Sequence, residues 1–242
     1  MILEITLDLS QDRLNYVLNN PLILIMNFLE MFSLLTGLFF WNKFKGSAIP
    51  WFILFLGYNF LNEVFAAFFY IYKLVDTNIV FYNIRFLIYF VLLFLLYNSQ
   101  LRQSGFKKAT LAFIGLWLFS YIYFIIASDF WFQFAVLPAI SGGFLLMIVI
   151  LFYLIEIINK SSLLSIKSNL YLYISLGLLL EAVVQLPVFI TWFLGWTQVT
   201  EISDARNAFF NSLRQVSYAA SCVMYIIFIY GFYKSKPQEV KS

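Results

Sequence analysis

The chain has 242 residues and a net charge of +3; 63% of its residues are hydrophobic, 21% aromatic and only 11% charged. Soluble domains carry about 25% charged and about 45–50% apolar residues, so a water-soluble fold of this size is excluded: its core has no room for such a surplus, whereas lipid covers it. The charge is too small and too scattered for a nucleic-acid partner. The single cysteine, Cys222, excludes an intrachain disulfide, and the absence of histidine excludes His-based metal sites and Ser-His triads.

The opening "MILEITLDLSQDRLNYVLNN" lacks a basic start and contains Glu4, Asp8 and Asp12. It reads as a retained extracytoplasmic segment over residues 1–19, with Ile2, Leu3, Leu7 and Leu9 at the membrane surface, rather than as a signal peptide. Apolar runs of about twenty residues then predict seven transmembrane helices. They fall near Pro21–Trp41, Trp51–Tyr72, Val80–Tyr97, Ala109–Ala127, Phe132–Ile157, Asn169–Trp192 and Asn207–Tyr233. Trp41, Trp51, Trp131, Trp192 and Trp196 stand at span ends, as an interfacial aromatic belt requires. No linker or charged block divides the chain, so residues 20–234 are expected to form one transmembrane domain, followed by a short cytoplasmic tail at 235–242 with no soluble output domain.

Connections after the first, third and fifth spans and after the last hold Lys43, Lys45, Arg102, Lys107, Lys108, Lys160, Lys167, Lys234, Lys236 and Lys241. The alternate connections hold only Arg13, Lys73 and Arg206. By the positive-inside rule the N-terminus lies outside and the C-terminus in the cytoplasm. The expected fold is an all-α integral membrane protein, a seven-helix bundle in the cell (inner or plasma) membrane.

Polar residues concentrate in spans 1, 2, 3, 6 and 7, while span 4, "ATLAFIGLWLFSYIYFIIA", has no charge and no carboxamide. Asn27 and Glu30 are three apart, Asn59 and Glu63 four apart, and Gly177, Glu181 and Gln185 step by four, so each set shares a helical face. Asn207, Asn211, Arg214, Tyr218 and Ser221 form a stripe on span 7 that is expected to face the bundle interior. At about 1.5 Å per residue, Arg85 and Arg214 lie roughly 8–10 Å below the outer edge of the apolar zone, and Glu30, Glu63 and Glu181 roughly 12–14 Å below it. Five charges on five helices then share one layer with a net charge of −1. Glu63 precedes Asn83 and Arg85 as Glu181 precedes Asn211 and Arg214, which suggests a 3+1+3 parallel repeat in which span 4 joins two triple-helix halves.

A charge at the middle of a membrane helix costs roughly 2.5–3.5 kcal/mol on insertion scales, and intramembrane ionisable residues point first to function. The expected ligand-binding set is Glu30, Asn59, Asn62, Glu63, Asn83, Arg85, Glu181, Gln185, Asn211 and Arg214, forming a pocket in the outer half for a small polar or zwitterionic ligand or an ion. The competing reading is a structural ion-pair and amide network. The two arginines compete for the carboxylates that a divalent metal needs, so no metal and no cofactor are expected. Glu30, with no arginine in its own or the next span, is the carboxylate suited to proton coupling. Tyrosine and phenylalanine read mainly as lipid-facing bulk.

The last span has no lysine for a Schiff base, which excludes a retinal pigment. The 3+1+3 order resembles, in topology only, the small seven-span sugar transporters with tandem triple-helix bundles; their Pro-Gln signature is missing, since the sequence here is Gln185-Leu186-Pro187. The leading functional expectation is a transporter or permease. Alternatives are a ligand sensor acting through a separate membrane partner and an accessory subunit of a membrane complex; an enzyme is not expected.

Overall fold

The computed structural model describes residues 9–160, 167–195 and 204–236. Within them the chain forms nine helices and no strand: α1 (Gln11–Leu18), α2 (Pro21–Phe39), α3 (Trp41–Phe44), α4 (Ile49–Ile71), α5 (Ile79–Gln100), α6 (Ser104–Ala127), α7 (Val136–Lys160), α8 (Leu170–Phe193) and α9 (Asp204–Lys234). Seven of them, α2 and α4 to α9, are long and apolar enough to cross a membrane. Their outward faces carry large apolar side chains such as Phe28, Phe39, Phe119, Ile126 and Val183, which only lipid covers at low cost. The protein is therefore a multi-pass membrane protein. The membrane-surface reading of Ile2, Leu3 and Leu7, the belt position of Trp196 and the tail beyond Lys236 lie outside the described residues.

Helix boundaries follow local chemistry. Pro21 and Pro50 sit in the first turns of α2 and α4, where a missing N–H leaves no bond unmade. α4 stops where Lys73 takes a left-handed φ of 52°. The amides of Lys73 and Leu74 then bond back to Tyr70 and Phe69, a Schellman closure usually given to glycine. α8 ends similarly, with Gly195 at φ 74°. The chain before α2 is strapped to this end of α4: Arg13 donates to the carbonyls of Tyr70 and Val75 at 2.8 and 2.9 Å and lies over the Tyr70 ring. We call this the α1 end of the bundle.

At the opposite end, α3 turns the chain below α9. Lys43 donates to the Phe232 carbonyl at 2.9 Å, completing the C-terminus of α9, and burial pulls its ammonium below the usual lysine range. Glu156, buried near the end of α7, accepts the amides of Arg102 and Gln103 at 2.8 Å each and so caps α6 from across the bundle.

Six helices close a ring in the order α2, α4, α5, α7, α8, α9, and α6 packs outside it against α5 and α7. Side chains fill the ring: Phe52 meets Phe228, and Phe86 meets Phe189. α6 contributes Trp117 and Tyr121 to its one buried edge and gives the rest of its surface to lipid. The lack of charge and carboxamide in its apolar stretch thus coincides with a place outside the polar interior.

Three spans depart from their sequence boundaries, the fourth by starting at Ser104 rather than Ala109. The fifth was expected from Phe132, yet α7 begins at Val136, because backbone groups between Phe130 and Ala135 bond to the side chain of Asn83 instead of to a helix. The seventh begins earlier than expected, at Asp204. Its 31 residues span about 46 Å, against a hydrocarbon core of about 30 Å. The first turns of α9 therefore overrun the apolar zone, and the stripe expected to face inward does so only in part. Asn207 and Asn211 are exposed, Arg214 and Tyr218 half-buried, and Ser217 and Ser221 buried.

Candidate functional site

The site grows from the face of α2 that does not meet lipid. α2 buries only Glu30, Ser33 and Gly37, spaced three and four apart along one edge. Small and polar residues hold membrane helices because they let backbones approach. A Cβ added at Gly37 would lie 3.1 Å from Ile53 of α4 and 3.2 Å from Phe232 of α9. Glu30 is therefore drawn into the junction of α2, α4 and α9, where it is 1% exposed. α4 presents the buried Asn59 to this junction, against Glu30, and also buries Asn62 and Ala66 further along.

Beside it, Arg85 of α5 forms an ion pair with Glu63 of α4; the two side chains are 23% and 15% exposed. Tyr82 donates to the other Glu63 oxygen at 3.1 Å. Tyr89, one turn beyond Arg85 on the same face of α5, reaches across the ring to Glu181 of α8 at 3.3 Å. Tyr225 of α9 and Asn59 face the Glu30 carboxylate. Each of the three glutamates thus meets a tyrosine from another helix. The field of Arg85 reaches all three, since Glu30 and Glu181 as well as Glu63 interact with its guanidinium. One arginine serves three carboxylates.

The remaining expected residues have other settings. Asn83, 0% exposed, donates to the carbonyls of Phe130 and Gln133 at 2.7 and 2.8 Å and accepts the Ala135 amide at 2.9 Å. Its own carbonyl accepts from Tyr121 at 2.8 Å, so its hydrogen-bonding capacity is spent on holding the α6–α7 connection. Gln185 accepts from Ser217 and ties α8 to α9. Arg214 donates to the Tyr218 hydroxyl at 2.7 Å and lies over the rings of Phe210 and Tyr218. It stands 20 residues, roughly 30 Å of helix, from Lys234. That register puts it at the margin of the apolar zone rather than in the layer of Arg85, and Asn211 a turn further out is exposed.

The hydrogen bonds of the α2–α4 junction are far from complete. Asn27 Oδ1, Glu30 Oε1, Ser33 Oγ, Tyr58 OH, Asn59 Oδ1 and Asn62 Nδ2 are buried with no partner in the protein. The other such atoms among the described residues, on Asn98, Tyr171 and Ser235, lie toward the α3 end. A buried polar group without a partner costs about 1–3 kcal/mol, so these atoms, three on α2 and three on α4, are suited to a polar guest. Comparison with protein-family models, with curated proteins and with solved structures finds no match.

The tyrosines were the residues that composition alone undervalued. Tyr82, Arg85 and Tyr89 step by three and four along α5, a spacing that puts them on one face. That pattern was readable. Tyr225 carried no such signal, because its partner Glu30 lies on a helix remote in sequence.

Proposed function

We propose that the protein is a transporter or permease for a small polar or zwitterionic solute, with the α1 end of the bundle facing outward across the cell membrane. The observation that carries this reading is the set of six under-bonded buried polar atoms on α2 and α4 beside the Arg85–Glu63 pair. A purely structural network closes its own hydrogen bonds, as the Asn83 set does. The α2–α4 set does not.

The pair suggests how a zwitterion is accommodated. Without solute, Arg85 and Glu63 neutralise each other. A solute's carboxylate takes Arg85 and its ammonium takes Glu63, so two ion pairs replace one and no uncompensated charge is created in a low-dielectric place. Asn59, Asn62 and Tyr58 supply donors and acceptors for the remaining polar groups. The ring of two three-helix halves with α6 set aside is the arrangement a 3+1+3 repeat requires, and it supports rocking of one half against the other around a central site. The reading assigns no chemical conversion: the bond-making groups are absent from the mechanism, and the glutamates act as ligands.

The test is uptake of a panel of radiolabelled amino acids and betaines into proteoliposomes holding the full chain. Flux of at least one solute that falls to background in Glu63→Gln and Arg85→Lys is the expected result. Saturable binding without flux overturns transport in favour of a sensor, and neither binding nor flux across the panel overturns the zwitterion site.

A further inference from the structure

The α2–α4 junction is unbalanced in a way that a zwitterion does not correct. Three of its unpartnered atoms, Asn27 Oδ1, Glu30 Oε1 and Asn59 Oδ1, are pure acceptors, two are hydroxyls, and only Asn62 Nδ2 is a pure donor. The charges lean the same way: Arg85 is paired with Glu63, while Glu30 and Glu181 share its field without an ion pair of their own. A water molecule brings two donors, fewer than the three acceptors demand, and brings no charge. A cation between Glu30, Ser33 and Asn59 accepts from several oxygens and offsets the carboxylate.

Ser33 gives an independent sign that this place is built for such a guest. Other hydroxyls on the helices bond to a carbonyl three or four residues back, as Thr191 does to Val188 at 2.9 Å and Thr36 to Phe32 at 2.8 Å, or to a side chain of another helix, as Ser175 does to Tyr97 at 2.9 Å. Ser33, 0% exposed, makes no hydrogen bond. Its oxygen stands one turn below Glu30 on the buried edge of α2, opposite the level of Asn59 on antiparallel α4. Both lie roughly 18 Å from the α1 end of their helices.

We infer that Glu30, Ser33 and Asn59 form a binding site for a monovalent alkali cation, and that sodium is its occupant. Hard oxygen donors select an alkali or alkaline-earth ion. A divalent ion takes several carboxylates, and among the described residues no three acidic, histidine or cysteine side chains group together. Glu30 brings one charge, which one monovalent ion balances. The full charge of the Glu30 carboxylate makes this a high-field site, and such a site favours the smaller sodium over potassium. The inference rests on the transporter reading only for the cation's role, that of a coupling ion whose binding draws α2 against α4; binding itself needs no solute.

The experiment measures the unfolding temperature of the full chain in detergent, without solute, in sodium, potassium or choline chloride at constant ionic strength. A saturable rise of about 3–5 °C is expected when sodium reaches ten times its dissociation constant, with little or none in potassium or choline. Glu30→Gln and Ser33→Ala should lose the rise, and Ser120→Ala on α6 should keep it. If the variants fail to fold, binding of radioactive sodium to the wild-type chain, displaced by sodium and not by potassium, decides the matter. Equal unfolding temperatures in the three salts with no sodium binding overturn the site and leave water as the partner of these oxygens. A rise as large with potassium overturns the assignment of sodium. A sodium effect without any solute flux sustains the cation site while the transport reading fails, so the two failures are distinguishable.

Discussion

Two buried asparagine clusters lie a short way apart in this bundle and are bonded in opposite ways. Around Asn83 every side-chain group is engaged: two carbonyls, one amide and, through its backbone, a tyrosine hydroxyl. Around Asn59 and Asn62 the carboxamides are as deeply buried, yet each leaves an atom without a partner, as do Glu30 and Ser33 beside them. The first cluster orders an irregular connection that membrane burial would otherwise penalise. The second holds polar capacity in reserve, as a ligand site does. Residue type and burial are alike in the two places; under the proposed function, the state of the hydrogen bonds separates scaffold from site.

The largest effect expected from breaking this pattern falls on the ion pair that borders the second cluster. Arg85→Leu leaves Glu63 buried and uncompensated, at a cost of about 3–5 kcal/mol. The double variant Glu63→Leu with Arg85→Leu removes that penalty and should unfold at a higher temperature than Arg85→Leu alone. Strictly additive losses would mean that the pair carries no interaction. If the site reading holds, stability returns in the double variant while transport stays lost.

Next in size is Asn83→Leu, which strips two carbonyls and an amide of their partners. At about 1–3 kcal/mol for each group left unsatisfied, less what water recovers, a loss of about 2–4 kcal/mol is expected in thermal unfolding. Gly142→Ala attacks the same scaffold from the α6 side. Its new Cβ would sit 2.6 Å from both the Phe90 ring and Trp117 Nε1, and overpacking of this kind costs about 1–3 kcal/mol. Sodium dependence should survive it, because the contact is remote from α2. Smallest of all is Ser120→Leu, on α6 outside the ring. It loses one half-buried hydroxyl contact with Ser141, and stability should stay within about 0.5 kcal/mol of wild type with transport unchanged.

Much of this organisation was legible in the sequence. Each crossing needs about twenty apolar residues, so seven spans followed directly, and the lack of charge and carboxamide in span 4 agreed with its place outside the ring. Glu30, Asn59 and Asn62 were legible as buried, and Glu63 and Arg85 as half-buried, because a charge or carboxamide in such a run has nowhere else to go. The bonding state of each was not. Asn83 finds its partners 47 to 52 residues away, in a connection whose path only the packed helices define. Glu156 likewise caps a helix start more than fifty residues earlier. Arg214 was assigned to the Arg85 layer on the assumption that the seventh span starts at the membrane edge, and the overrun of α9 moved it outward. The tyrosines read as bulk because a phenol shows its polar end only when the opposite helix is in place.

The most direct test of the central claim compares one substitution in the two clusters. Asn62→Leu and Asn83→Leu make the same chemical change at buried positions of adjacent helices, and thermal unfolding of the two variants reads its sign. If the α2–α4 junction is a site, Asn62→Leu removes an unsatisfied polar group and leaves stability unchanged or raised by about 1 kcal/mol, while solute uptake is lost; Asn83→Leu lowers stability. Equal destabilisation by both, with uptake retained in Asn62→Leu, would contradict the account and make the second cluster scaffold like the first.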